Sequence, residues 1–230
     1  MIRIRVIFIG HNSQEFLVNQ RKYREDFASE QTRIETVSVK GGPETIEQDY
    51  DEIHSCPYIL DEVKRAEQDG ADAAVIDCAL DPCLSGLREA VRIPVVGAGQ
   101  SAFLMASALG DKWSILTPLP QLIPGLRRRI DEYGFAEKIA SFRSIETGIL
   151  DLLSAEAKQN FIQQGVEAVN KEGAEVLILG CTGMSPAMPE LKEHFSVPLV
   201  DPAASAICLA ENMVRLNLSH SPGTFPYIQT

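Results

Sequence analysis

Basic charge is scarce in this chain: 21 Lys and Arg stand against 32 Asp and Glu, a net charge of −11 over 230 residues. An acidic balance of that size argues against nucleic acid or an anionic membrane as partner. Histidine is scarcer, with four residues, and none stands at zinc-ligand spacing to a cysteine. No Cys-x-x-Cys pair exists either, so no metal site is expected. No apolar stretch approaches the roughly 18 residues of a membrane span. The opening MIRIRVIFIG sets Arg3 and Arg5 ahead of an apolar run, but that run is short for a secretion signal and leads straight into a turn. The expected location is the cytoplasm and the expected partner a small-molecule substrate, with a homo-oligomer left open.

What the chain does have is five cysteines, Cys56, Cys78, Cys83, Cys181 and Cys208. An odd number, widely spread, with no secretion signal, points to free thiols. Short runs rich in Val and Ile recur at 2–10, 33–39, 73–77, 94–99, 113–117, 175–180 and 197–201. Continuous apolar runs of this length suit parallel strands covered on both faces. They alternate with helical stretches such as 58–69, 155–172 and 203–217. The expected fold class is α/β, with mostly parallel sheets flanked by helices.

An internal repeat refines this expectation. GADAAVIDCALDPCLSGLREAVRIPVVGAGQSA, from Gly70, aligns with GAEVLILGCTGMSPAMPELKEHFSVPLVDPAASA, from Gly173. Gly70 matches Gly173 and Cys78 matches Cys181. One inserted residue later, Asp81-Pro82 matches Ser185-Pro186, Pro94 matches Pro198, and Ser101-Ala102 matches Ser205-Ala206. Each copy reads as a buried strand, a cysteine, and a loop into a helix, with Asp81 or Ser185 as the cap and proline at the first helical position. Ser101 and Ser205 read as caps of the next helices. The expectation is two pseudo-symmetric lobes. Residues 1–99, completed by a C-terminal helix over 205–230, form one, and 100–204 form the other. A cleft between them would bring Cys78 and Cys181 face to face.

Ligands of open α/β sheets bind outside the carboxyl ends of strands, where both cysteines stand. Two acid/base groups facing across a substrate are what inversion at a carbon requires. A thiol, with an unperturbed pKa of about 8.5, reaches both protonation states near neutral pH. Backbone N–H groups at Ala79, Thr182 and Gly183 could receive charge developing on a carbonyl oxygen. No organic cofactor is required for such a step. His11, Asn12 and Ser13 after the first strand, Thr117 at the end of WSILT, and Ser101 are further candidates for substrate contact. Cys83, Cys56 and Cys208 read as packing residues, and Gly97-x-Gly99 is a weak nucleotide fingerprint.

The residues at this point resemble the aspartate/glutamate/hydantoin racemase superfamily, and within it the hydantoin and allantoin racemase branch. CALDPCL, from Cys78, is similar to the family's Cys-Phe-Gly-Asp-Pro-Gly-Leu, with Cys83 in place of a glycine. GCTGM, from Gly180, is similar to Gly-Cys-Ala-Gly-Met, and GGPETIEQDYDE (41–52) to the branch's Gly-Pro-x-Ser-Ile-Glu segment. The resemblance implies a cofactor-independent racemase with Cys78 and Cys181 as the catalytic pair. It also implies substrate contacts from the first-strand loop. That loop is Asn-Pro-Asn-Thr in the branch, and only Asn12 and the Ser13 hydroxyl match it here. Ala79 and Leu80 replace the Asn-Thr that follows the first cysteine in amino-acid racemases, which favours a ring or otherwise masked substrate. Two alternatives stay open: a thiol-dependent isomerase or decarboxylase of a small dicarboxylic acid, and a non-catalytic small-ligand binding protein.

Overall fold

A computed structural model describes residues 1–10 and 14–228. The chain divides into two compact units, Met1–Ala98 with Ala206–Thr230, and Gly99–Ser205.

The first unit is built on a parallel sheet of β1 (Ile2–Phe8), β2 (Thr32–Ser38), β3 (Ala73–Asp77) and β4 (Val95–Gly97), in the order β2-β1-β3-β4. Its helices are α1 (Gln14–Glu25), α2 (Asp49–Gln68) and α3 (Leu84–Ala90). The inner strands β3 and β4 are buried at every position because both faces are covered. Ile4, Val6 and Phe8 of β1 with Ala73 and Val75 of β3 face one layer, together with Ala206, Ile207 and Ala210. Ile7, Ala74 and Ile76 face the other, against Ile59, Val63 and Ala66 of α2 and Leu87 of α3. This alternation is the two-residue side-chain period of a strand.

The second unit has the same strand order. β5 (Trp113–Thr117), β6 (Ile139–Ser144), β7 (Val176–Leu179) and β8 (Leu199–Val200) pair in parallel as β6-β5-β7-β8. Around them lie α4 (Ala98–Ser107), which begins at the boundary between units, α5 (Ile123–Glu132), α6 (Ala155–Glu172) and α7 (Met188–Leu191). Phe161 and Ala168 of α6 pack with Leu177 and Leu179 of β7. α8 (Pro202–Arg215) leads from this unit back to the first. No helix among the described residues is long and apolar enough to cross a membrane.

Several local expectations are corrected. β6 is absent from the predicted strands. It pairs only with β5, and all six of its residues are half-buried, so its sequence IASFRS lacks an apolar run. α2 begins at Asp49 and carries Pro57 inside it, rather than starting after that proline. Asp81 is not a helix cap: it has φ 48° and Cys83 has φ 50°, and two left-handed residues postpone α3 to Leu84. Ser185 lies inside a 3-10 turn, Thr182–Ala187, and does not cap it. Ser101 and Ser205 are helical residues, three positions into α4 and α8, and the Ser205 hydroxyl donates back to the Asp201 carbonyl at 2.7 Å.

Candidate functional site

In the first unit the site grows from the end of β3. Cys78 follows Asp77 directly, and its N–H donates to the Ile76 carbonyl at 3.0 Å. Its own carbonyl accepts from the Asp81 N–H at 3.0 Å, which closes a turn over Ala79 and Leu80, both buried. Glu52, at the start of α2, reaches this loop and accepts from the Cys83 N–H at 3.1 Å. The Cys83 side chain packs on the apolar cluster beneath. Behind the loop, Arg24 on α1 donates to Asp77 Oδ2 at 2.7 Å, with both side chains closed to solvent. The guanidinium also lies 4.8 Å from the centroid of the Phe8 ring, a cation–π contact.

Asp81 itself is fully buried. A Cβ placed on Gly97 would stand 2.5 Å from its Oδ1 and 2.6 Å from its Cγ. Glycine at 97 therefore makes room for the Asp81 carboxylate, and that close approach accounts for Gly97 without a nucleotide.

In the second unit the site grows from the end of β7. Gly180 extends the ladder, donating to the Leu116 carbonyl at 2.7 Å, and a Cβ there would fall 2.7 Å from that same oxygen. Only glycine lets the strand end approach β5 this closely. Cys181 comes next and heads the 3-10 turn, and its Sγ accepts from the Gly183 N–H at 3.4 Å. A hydrogen bond donated to sulfur favours the thiolate. Thr182 is buried, and a Cβ on Gly183 would meet Leu152 Cδ1 at 3.0 Å.

Thr117, the last residue of β5, lies beside Gly180. It is fully buried, and its Oγ1 has no hydrogen-bond partner among the described residues. A buried hydroxyl left unsatisfied costs about 1–3 kcal/mol and calls for an explanation, such as a bound group. Further along the turn, Ser185 donates to Asp201 Oδ1 at 2.7 Å, and the same oxygen accepts from the Ala203 N–H at 2.9 Å.

The structure thus gathers Thr117, Cys181, Thr182 and Gly183 at one strand edge of the second unit, and Cys78 with Ala79 at the matching edge of the first. Ser101 is buried in α4. His11, Asn12 and Ser13 lie outside the described residues. Sequence reasoning did not find the Arg24–Asp77 pair, the Glu52 contact, or the buried acids Asp81 and Asp201 as partners of the loops. The only signal for the last two was their place in the repeat.

Cys208 is a different kind of thiol. Burial pushes it up, and the nearby Glu211 charge adds to this, while its Sγ rests 3.9 Å from the Phe27 carbonyl. These surroundings hold it protonated.

Known proteins share the fold and much of the sequence. The chain is 37% identical over 191 residues to the hydantoin racemase of Pseudomonas sp. (strain NS671), covering 82% of this chain and 77% of that one. It is 31% identical over 222 residues to the hydantoin racemase of Paenarthrobacter aurescens, covering 95% and 94%. The structure of allantoin racemase from Klebsiella pneumoniae superposes with a TM-score of 0.94 at 27% identity, over 100% of this chain and 95% of that one. By class the protein is an isomerase, a racemase. It belongs to the Asp/Glu/Hydantoin racemase family, whose model matches residues 13–210.

Proposed function

We propose that the protein inverts a carbon of a hydantoin-like ring or a related amino-acid derivative, without a cofactor, using Cys78 and Cys181 as a pair of acid/base groups. One thiolate removes the proton on one face of the substrate carbon, and the other thiol returns a proton to the opposite face. The two cysteines exchange roles with the hand of the substrate.

The observation that carries this proposal is positional. Both cysteines stand at the carboxyl end of the third strand, β3 or β7, of two sheets with the same strand order. The Gly183 N–H donated to Cys181 Sγ would stabilise a thiolate formed there during proton transfer. Thr117 Oγ1 is a buried hydroxyl available to a substrate carbonyl or ring nitrogen. The absence of polar side chains at Ala79 and Leu80 favours a substrate with no free α-carboxylate to bind.

The test is incubation of the purified protein with single enantiomers of 5-substituted hydantoins, allantoin and free amino acids in heavy water. Loss of optical rotation with one deuterium at the inverted carbon is expected for the ring substrates. Cys78→Ser and Cys181→Ser should each abolish inversion. Full activity in either variant, or no exchange with any ring substrate, would overturn the proposal.

A further inference from the structure

The repeat aligns Asp81 with Ser185 and, in the same register, Gly97 with Asp201. In the first unit the acid is on the cysteine loop and the glycine closes β4. In the second unit a small hydroxyl is on the cysteine loop and the acid follows β8. The two pairs are therefore complementary: each unit has one carboxylate, never two and never none, across this junction.

The geometry agrees with the alignment. Asp81, fully buried, fills the space where a side chain of residue 97 would begin, with Oδ1 2.5 Å from the Gly97 Cβ position. Asp201, at the position that aligns with Gly97, accepts from the Ser185 hydroxyl at 2.7 Å. Both junctions are closed to solvent, since Ser185 is fully buried and Asp201 nearly so. A buried carboxylate persists only where hydrogen bonds compensate it, so its retention at one end or the other of the same junction needs a reason.

We propose that one buried carboxylate per unit fixes each cysteine loop to the neighbouring strand end, delivered from opposite sides: by Asp81 for Cys78 and by Asp201, through Ser185, for Cys181. These acids are positioning residues. In the second unit the link holds the turn Thr182–Ala187, and with it the Gly183 N–H that donates to Cys181 Sγ at 3.4 Å. Releasing the turn weakens that donor and raises the thiol's pKa, which slows reaction of Cys181 at neutral pH. The importance of this for turnover rests on the two-cysteine mechanism proposed above; the effect on thiol reactivity does not.

The experiment reads each thiol separately. Wild-type protein and variants are treated with iodoacetamide across pH 5.5–9.5, and alkylation of Cys78 and Cys181 is followed by mass spectrometry. Ser185→Ala keeps the Asp201 bond to Ala203 and deletes only the link to the loop. It is expected to slow Cys181 alkylation at neutral pH about 5- to 10-fold, the range set by the net worth of one ordinary hydrogen bond, and to leave Cys78 unchanged. Asp81→Ser should act on Cys78 alone. Asp201→Gly should match or exceed the effect of Ser185→Ala, and S185D/D201G, which moves the acid onto the loop as in the first unit, should return Cys181 to within about 2-fold of wild type, because the relocated carboxylate takes over the Ala203 N–H as donor and so ties the loop to the start of α8 again.

Wild-type alkylation of Cys181 in Ser185→Ala would overturn the inference. So would a doubly substituted protein with a native circular dichroism spectrum whose Cys181 stays as slow as in Asp201→Gly. If the wild-type protein racemises ring substrates while the variants leave both thiols unmoved, the inference fails and the proposed function stands. If no substrate turns over but the alkylation pattern holds, the opposite is true.

Discussion

Arg24 and Asp77 meet at 2.7 Å with neither side chain open to solvent, one residue before Cys78. Removing a single partner from such a pair strands a buried charge, which costs about 3–5 kcal/mol. Arg24→Met is therefore expected to lower the urea midpoint sharply, whereas R24M/D77L, which removes both charges, should recover most of the loss. A single substitution costing under about 1 kcal/mol would show that water or another cation reaches Asp77.

Thr117→Val replaces the unsatisfied buried hydroxyl with a methyl group of the same shape. Relief of that desolvation is expected to stabilise the protein by about 1 kcal/mol in thermal or urea unfolding. Activity on a ring substrate should move the other way, through a higher KM. Gain of stability with unchanged kinetics would remove Thr117 from the substrate contacts.

Glycine at 180 is expected to be intolerant of any side chain, because its Cβ would fall 2.7 Å from the Leu116 backbone oxygen. Gly180→Ala should cost about 1–3 kcal/mol as strain and displace Cys181. Gly86, in α3, meets nothing within 4 Å of its Cβ position, and Gly86→Ala there should raise stability by about 0.5–1 kcal/mol. Equal effects at the two positions would contradict the close approach of β5 and β7.

His220 links stability to pH. Burial and then the neighbouring Arg88 charge push its pKa down to about 4, and its Nε2 accepts the Val95 N–H at 2.8 Å. The folded state thus holds the ring neutral where the unfolded chain would bind a proton. This contribution is fully present above pH of about 6.5 and is lost as pH falls from there toward 4. The ring is partly open to solvent, so a loss on the order of 1 kcal/mol between pH 7.5 and 5 is expected after allowing for screening. His220→Gln keeps an acceptor for Val95 without a group that titrates in this range. Urea midpoints of that variant should lose this part of the pH dependence, and an unchanged slope would refute the assignment.

Much of the scaffold is legible in the sequence. Strands 73–77 and 113–117 and the helix 155–172 have the predicted bounds, because each is a long apolar or periodic run between clear breakers. β6 escaped because a half-buried edge strand need not be apolar. The start of α2 escaped because Pro57 looks like a boundary, although the helix begins eight residues earlier with the Asp51 carboxylate accepting from the Gln48 N–H at 3.1 Å.

For the site, the repeat pointed to Cys78 and Cys181 as equivalent positions. Their surroundings were illegible for a physical reason. Arg24 and Asp77 lie 53 residues apart, and Cys83 and Glu52 lie 31 apart. Nothing in a local pattern couples side chains over such distances. The Asp-Pro of the first loop suggested a helix cap by composition, but a left-handed φ at Asp81 turned its carboxylate inward to Gly97 instead.

The division of the chain carries a last consequence, for the order in which the protein is made. Residues 99–205 are contiguous and complete as soon as they emerge from the ribosome. The first unit must wait: Ala206, Ile207 and Ala210 complete the layer against Ile4, Val6 and Val75, and they are synthesised after the whole of residues 99–205. At the roughly 5–20 residues per second of translation, β1 spends about ten seconds or more with that face uncovered. The first unit closes only after residues 99–205 have been made, so a chain cut before Ala206 would leave its core open.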